Sequence, residues 1–525
     1  MSEAQTSQRP NIIFYLTEKQ RADTCGCFGQ KLATTPILDE LAQQGVKFNQ
    51  AFATLAAPVA MKATLLTGQD LTKTKCFKNL SKLPKDTKTL ASFAQEQGYE
   101  TAFIGSWQLG TDSKSNLDKS VALNDRGGFS QFWRGAHDLK ATSSLTKGGF
   151  VYDEQGNKVE FAGYRSDCLT DMALEFLDKR DSSKPFFMTM CYSEPTAKTQ
   201  EQIKKEKAEA DVKIKEKVDE IIKEQSITSI PKMEELRYQV NFDYLNNLLA
   251  YDSPSEEVEE LFAKTSSALD IQVLTSNQRR NFQVYLAQCY KIDQNLGKLV
   301  AKLKEQGLYD NTVIVFTSLS ANNFGCRNND KNFNGFDDGA RSAHDNSSHV
   351  PLVIGGGYIK SAKSIDELVS LESLAKTAAK LMSNHCSCTD ALLGEDLLAL
   401  DPNNTNEDKE LYYQISESRV GRALRTSKYL FAVNAPKLNG TEAYSATAYV
   451  DDYMYDIKND DIEINSLVYA LNYKEIREQL RTRLIELIQE REQSTVTIEP
   501  RVRAKIENDN DVSEGYREGE LDEDY

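Results

Sequence analysis

The chain has 525 residues, a formal net charge of −16 at pH 7, 40% hydrophobic residues and a mean hydropathy of −0.53. Because the charge balance is acidic, we expect neither nucleic acid nor an anionic membrane surface as its main partner. No apolar run approaches the roughly 20 residues that span a bilayer, and the first residues show no basic-then-apolar export signal. The composition therefore predicts a soluble, cytoplasmic, globular protein.

Nine cysteines are spread along the chain, an odd number that does not suit a complete set of disulfides. We expect reduced and mostly buried thiols, in keeping with a cytoplasmic location. Two C-x-C pairs, Cys25 with Cys27 and Cys386 with Cys388, would form a zinc site only if the fold brought them together.

The first predicted element is a continuous apolar run at residues 9–17 (RPNIIFYLT), which suits a strand buried in a parallel sheet. A helix at 35–42 and a strand at 45–48 follow it. A chain of this length can bury the core of one large α/β domain and a smaller satellite.

Residues 54–68 (TLAAPVAMKATLLTG) resemble the signature of the sulfatases, within the alkaline phosphatase superfamily. In that family a Cys or Ser followed by x-Pro-x-Arg precedes a helix carrying Leu-Leu-Thr-Gly, and the Cys or Ser is oxidised to the formylglycine nucleophile. Alignment on residues 65–68 puts Pro58 at the nucleophile, Ala60 at the family Pro and Lys62 at the family Arg. Because a nucleophile needs a heteroatom that can be deprotonated, Pro58 is not able to start this chemistry.

The resemblance continues along most of residues 9–495 and implies an α/β, alkaline-phosphatase/sulfatase-like fold. It predicts a central, mostly parallel sheet flanked by helices, and a small C-terminal α+β subdomain with an antiparallel sheet packed by a helix at 473–492. The expected domains are 9–400, with an insertion at 199–270, then 401–495, and an acidic tail at 496–525. Further segments similar to family elements are a helix at 89–98, a strand at 101–105, a helix at 282–306, strands at 313–318 and 350–354, and subdomain segments at 421–429 and 454–457.

The positions at which the family binds calcium are altered. The family has paired Asp residues after its first strand, where this chain has Glu18 and Lys19. A further metal carboxylate of the family falls on Leu319 or Ser320. Hard cations need anionic oxygen ligands, so the resemblance predicts that no metal is bound and that Lys19 pairs with Glu18 instead.

The family's remaining active-site positions are also replaced. Its sulfate-binding Lys corresponds to Ser106, and its neighbouring His to Gln108, which exchanges no proton near neutral pH. A second His corresponds to Thr196, and a second Lys to Ala340, with Arg341 adjacent. The resemblance therefore predicts a degenerate member of the family without catalytic residues, metal or other cofactor.

The altered residues lie in loops that follow strands of the predicted sheet, so we expect them to face one cleft at the carboxyl ends of those strands. Positive charge remains there at Lys19, Lys62 and Arg341. These three side chains are candidates for binding a small anion, such as a sulfate or phosphate ester, although internal pairing of the charges is the alternative we favour slightly. An amphipathic, Lys- and Glu-rich helix is predicted within 199–225, and residues 504–525 hold nine acidic residues against Lys505 and Arg517.

Three functions follow from these observations. The first is a catalytically inactive sulfatase-like protein that acts as a structural, self-assembling or protein-interaction component, with a second copy or another protein as partner. The second is a small-anion binding protein that uses the old cleft. The third is a sulfuric or phosphoric ester hydrolase with catalytic residues unlike those of the family.

Overall fold

The computed structural model describes residues 9–30, 34–55, 57–196, 276–323, 341–383, 387–404 and 406–501, with only the backbone described at 276–283 and 387–388. The predicted insertion at 199–270, Ala340 and the acidic segment 504–525 lie outside these residues. Within the described ranges, no helix combines the length and the apolar character needed to cross a bilayer.

Eleven strands of the described chain form one large sheet, and parallel pairing dominates its centre. The strands are β1 (Asn11–Thr17), β2 (Val46–Phe52), β3 (Glu100–Ser106), β4 (Phe132–Ala136), β5 (Ser143–Ser144), β6 (Gly148–Tyr152), β7 (Lys158–Phe161), β8 (Phe186–Cys191), β9 (Thr312–Ser318), β10 (Leu352–Gly355) and β11 (Lys363–Ser370). Their order is β11-β2-β10-β9-β1-β8-β3-β4-β6-β5, with β7 beside β6. The run β9-β1-β8-β3-β4 is parallel, as is β11 with β2, and the other pairs are antiparallel.

Helices cover both faces of the large sheet, which confirms the predicted α/β fold. Alternate residues of β1 face opposite sides, so Phe14 packs in one apolar cluster and Tyr15 in the other. The helices are α1 (Pro36–Gln44), α2 (Pro58–Thr67), α3 (Leu71–Thr74), α4 (Leu90–Glu96), α5 (Leu139–Thr142), α6 (Arg165–Lys179), α7 (Ser276–Glu305), α8 (Asp345–Ser348), α9 (Ser373–Met382) and α10 (Lys474–Glu492). Helices α2, α4 and α9 pack on one face, and α1, α6 and α7 on the other.

A second, five-stranded sheet forms the C-terminal subdomain. Its strands, in spatial order, are β12 (Leu411–Ile415), β13 (Gly421–Arg425), β14 (Tyr429–Asn434), β15 (Ala448–Asp456) and β16 (Thr497–Glu499). The first four are antiparallel, as predicted, whereas β16 runs parallel to β15 and lies within the segment that we had assigned to the tail. Leu484 and Ile488 of α10 pack against this sheet.

Ion pairs fix the small sheet against the large one. Arg341 donates to Glu417 at 2.7 Å, and Arg491 donates to Glu372 at 2.9 and 3.1 Å. All four side chains are largely buried, so these charges are held in fixed partnerships. These ion pairs therefore hold the C-terminal subdomain in a fixed position against the large domain.

Candidate functional site

The loops that follow β1, β8 and β9 meet at the carboxyl edge of the central strands, where open α/β sheets bind ligands. The backbone N–H of Glu18 donates to the carbonyl of Glu194 at 3.1 Å. Ser320 Oγ donates to the carbonyl of Glu18 at 3.1 Å, and Leu319 N donates to that of Thr17 at 2.9 Å. The structure thus brings together Glu18, Leu319 and Ser320.

Helix α2 begins at Pro58, and every residue from Pro58 to Thr67 is buried. Proline suits the first helical position, because its missing N–H has no acceptor there and its φ is already helical. Ala57 precedes it and provides no side-chain cap. Pro58 therefore has a structural role at the start of this helix.

Lys62, one turn into α2, is 1% exposed, and its ammonium contacts three oxygen atoms. Nζ lies 2.7 Å from the carbonyl of Ser106, 3.3 Å from that of Trp107 and 2.8 Å from Oε1 of Gln108. An ammonium has three N–H donors, so each has an acceptor from this chain. Burial lowers the pKa of Lys62, although nearby acidic groups oppose that shift.

Gln108 takes a left-handed backbone conformation, with φ of +61°. A non-glycine residue needs support to hold this conformation. Its N–H donates to the carbonyl of His137 at 2.8 Å, while its side chain accepts from Lys62. Lys62 therefore stabilises the loop that follows β3, and the two substituted positions form one contact.

Glu18 forms an ion pair with Lys140 at 3.0 Å. Burial alone would raise the pKa of this carboxyl, but the positive charges of Lys140 and Lys19 outweigh it and hold the pKa below its ordinary value. Lys19 is itself buried, at 8% exposure. Sequence reasoning missed Lys140, although its place in α5, just after β4, puts it at the same edge of the sheet.

Thr196 and Arg341 make contacts away from this cluster. The backbone N–H of Thr196 donates to Oε1 of Gln288 at 3.0 Å, and the Thr196 carbonyl accepts from Nε2 of Gln288 at 2.9 Å. Arg341 pairs with Glu417 in the small sheet. Anion binding by Lys19, Lys62 and Arg341 stays a prediction; Lys62 and Arg341 are bonded to groups of this chain.

A second ion pair, which the sequence did not suggest, lies at the end of β8. Arg165 and Glu194 are 2.7 Å apart, with side chains 4% and 1% exposed. Arg165 also donates to the carbonyls of Leu139 and Ser143 at 3.4 and 3.2 Å. The pair joins α6, α5 and the loop that follows β8.

The comparisons with known proteins agree on one family. A family model described as Sulfatase matches residues 10–384. An N-acetylglucosamine-6-O-sulfatase of Bacteroides thetaiotaomicron is 26% identical over 355 residues, which is 59% of this chain and 58% of that relative. An arylsulfatase of Clostridium perfringens is 22% identical over 526 residues, covering 92% of this chain and 95% of the relative.

Solved structures show the same fold. A structure of a complex with the substrate D-glucosamine-2-N,6-O-disulfate has a TM-score of 0.65 at 19% identity, covering 93% of this chain and 99% of that one. A phosphonate monoester hydrolase of Agrobacterium radiobacter has a TM-score of 0.58 at 18% identity, covering 92% and 96%. At these identities the likeness establishes the fold alone.

Proposed function

Because the chain belongs to the sulfatase family, we propose that it is a catalytically inactive member that acts as a structural or protein-interaction component. The observation that carries this proposal is the coordination of Lys62. At the position of the family Arg, its ammonium is bonded to two backbone carbonyls and to Gln108. A cation already surrounded by three acceptors has no donor left for a sulfate ester.

The position aligned with the nucleophile supports the same proposal. Pro58 has no hydroxyl, thiol or aldehyde precursor, and it occupies the first turn of a fully buried helix. The aligned acid and base positions hold an amide at Gln108 and a hydroxyl at Thr196, neither of which titrates near neutral pH.

The donors of this cleft do not fit the calcium ion that the family implies. Glu18 is the carboxylate at the aligned position, and it already pairs with Lys140, while the charge of Lys19 acts on it as well. Among the residues that the structure describes, no three His, Cys, Asp or Glu side chains converge as a metal centre requires. The residues at this position therefore do not supply the ligands of a calcium site.

Hydrolysis assays test the inactive state. We expect the purified protein to release no product from aryl sulfates or aryl phosphates above the level of a heat-denatured sample. Pro58→Cys, produced with an enzyme that generates formylglycine, should also stay inactive, because Lys62 and Gln108 keep their contact. Pro58→Ala is the matched control for the loss of proline.

Turnover by the parent protein that disappears in Glu18→Gln would overturn the proposal and favour a hydrolase with unfamiliar catalytic residues. Tight binding of sulfate or a sulfate ester without turnover, abolished in Lys62→Gln, would favour the anion-binding function.

The interaction role is assigned to the two segments that the family resemblance does not cover, 199–270 and 504–525. Both lie outside the described residues, and their sequences combine an apolar stripe with strong acidic charge. Native mass spectrometry of the protein purified from its source should reveal a complex with a second copy or another protein. A monomer without partners, at every concentration tested, would contradict this role.

A further inference from the structure

A surface rich in lysine stands out in this acidic chain. Residues 71–88 contain six lysines and one aspartate, although the whole chain has a net charge of −16. We call these lysines the lysine surface: Lys73, Lys75, Lys78, Lys82, Lys85 and Lys88.

Three of these six lysines bond to other groups of the chain. Lys82 pairs with Asp125 at 2.7 Å, and Lys88 pairs with Glu96 at 3.2 Å. Lys78 donates to the carbonyl of Thr441 at 2.8 Å. The other three are exposed and have no carboxylate partner within the described part of the chain: Lys73, Lys75 and Lys85.

The backbone under this surface is fixed. Asp70 caps α3 by accepting from Thr72 N at 3.0 Å, and Lys75 closes the helix in a left-handed conformation with φ of +55°. Leu83 N donates to the carbonyl of Leu109 at 3.0 Å. The lysines therefore lie on a segment that is anchored at α3 and at Leu83, where it borders the Gln108 loop.

The described chain ends on the same side of the molecule. Arg501 contacts Asp452 at 3.2 Å, and Asp452 also pairs with Arg419. Two residues before Arg419, Glu417 accepts from the backbone of Asn79, in the middle of the lysine surface, at 3.2 Å. A short chain of direct contacts thus leads from residue 501 to the lysines.

Residues 502–525 carry nine carboxylates and three basic residues. They follow Arg501 directly, and 24 residues of extended chain reach up to about 80 Å. A tethered segment of this length meets a nearby site at an effective concentration on the order of millimolar. Charge complementarity and position therefore favour this segment over an independent anionic partner.

We propose that, in a chain with no partner bound, residues 502–525 bind the lysine surface of the same chain. Lys73, Lys75 and Lys85 supply the cations that meet the acidic side chains. Because the lysine surface borders residues 107–110, the bound segment lies beside the loop that follows β3. The contact is electrostatic, so rising salt weakens it as the screening length falls from about 30 Å at 0.01 M to below 10 Å above 0.1 M.

Zero-length carbodiimide cross-linking of the full chain tests the proposal. An equal mixture of ¹⁵N-labelled and unlabelled protein is cross-linked at about 10 mM and about 0.3 M salt, and the products are mapped by mass spectrometry. We expect links from Lys73, Lys75 or Lys85 to carboxylates of 504–525, within chains of one isotope, with a yield at least about fivefold lower at the higher salt. Links joining the two isotopes in statistical proportion would overturn the proposal and assign the surface to a second copy.

Limited proteolysis provides a readout that does not need the lysines themselves. In the variant Lys73→Glu/Lys75→Glu/Lys85→Glu, we expect a Glu-specific protease to cleave within 504–525 at least about fivefold faster than in the parent, because the repelled segment is released. The variant Lys147→Glu/Lys360→Glu/Lys428→Glu carries the same charge change on exposed lysines elsewhere and should match the parent. Equal cleavage rates in all three proteins would overturn the proposal, as would equal acceleration in both variants.

Discussion

The lysines of the cleft and those of the lysine surface differ in burial and in their bonds to the protein. In the cleft, Lys62 is buried and bonded to three oxygen atoms of its own chain, and Lys140 is held by Glu18. On the lysine surface, Lys73 and Lys85 are exposed and have no carboxylate partner among the residues described. An anionic partner can therefore reach Lys73 and Lys85, whereas Lys62 is closed to it.

The difference follows from solvation. A buried ammonium must replace all its bonds to water with bonds to protein atoms, because an unsatisfied charge in the interior costs several kcal/mol. An exposed ammonium keeps its hydration and can exchange it for a partner at little cost. Burial has thus made the charge of Lys62 part of the scaffold, while exposure leaves the lysine surface open to binding.

The largest loss of stability is expected when Lys62 is replaced. Lys62→Met keeps the length of the side chain but leaves the carbonyls of Ser106 and Trp107 and the amide of Gln108 without their donor. Each unsatisfied buried acceptor costs about 1–3 kcal/mol, so we expect the free energy of unfolding to fall by about 2–4 kcal/mol in urea titrations.

Lys75→Met is the matched control on the lysine surface. Substitutions at exposed positions usually change stability by no more than about 0.5 kcal/mol. Similar losses in the two variants would break the comparison, because the charge of Lys62 would then be no more structural than that of an exposed lysine.

A smaller effect is expected when Lys140 is replaced. The folded-state pKa of Glu18 lies below the ordinary value of 4.5, so its stabilising contribution is present above that pH and is lost as the pH falls through the folded pKa. Lys140→Met removes a positive charge that lowers the pKa of Glu18, so burial raises that pKa. Because Lys140 is 44% exposed, we expect a loss of only about 0.5–1 kcal/mol at pH 7.

Acid titration of stability checks this prediction. In Lys140→Met the acid-induced loss of stability should begin at a higher pH than in the parent. Lys88→Met, which removes an exposed pair with Glu96, should leave the acid limb in place. An unchanged acid limb in Lys140→Met would mean that Lys19 alone controls the ionisation of Glu18.

The sequence predicted the central elements well, because their patterns are local. The apolar run at 9–17 contains β1, and the helix expected at 282–306 is α7, which begins earlier at Ser276. The helix expected at 473–492 agrees with α10. By contrast, β16 is only three residues long and has too few positions to show any periodicity.

The partners of the cleft residues were harder to predict than the residues themselves. Lys62 and Gln108 are 46 residues apart, and Glu18 and Lys140 are 122 apart. The family resemblance located three of these four positions, but it gave no information on which side chains would meet. Pairing across such separations depends on the fold, since nothing in the local sequence of either partner encodes it.

Pro58 has a consequence for how this chain could change during evolution. The residue starts a buried helix favourably at the position where a nucleophile would have to stand. Selection for stability alone would retain such a residue, because a change to Cys or Ser would give up a preorganised helix start. Lys62 also donates to Gln108. A nucleophile at position 58 would therefore need further substitutions at these two positions before the site resembled that of the family. Under the proposed function, Pro58 therefore stabilises the fold of an inactive chain and opposes the appearance of a nucleophile at this position.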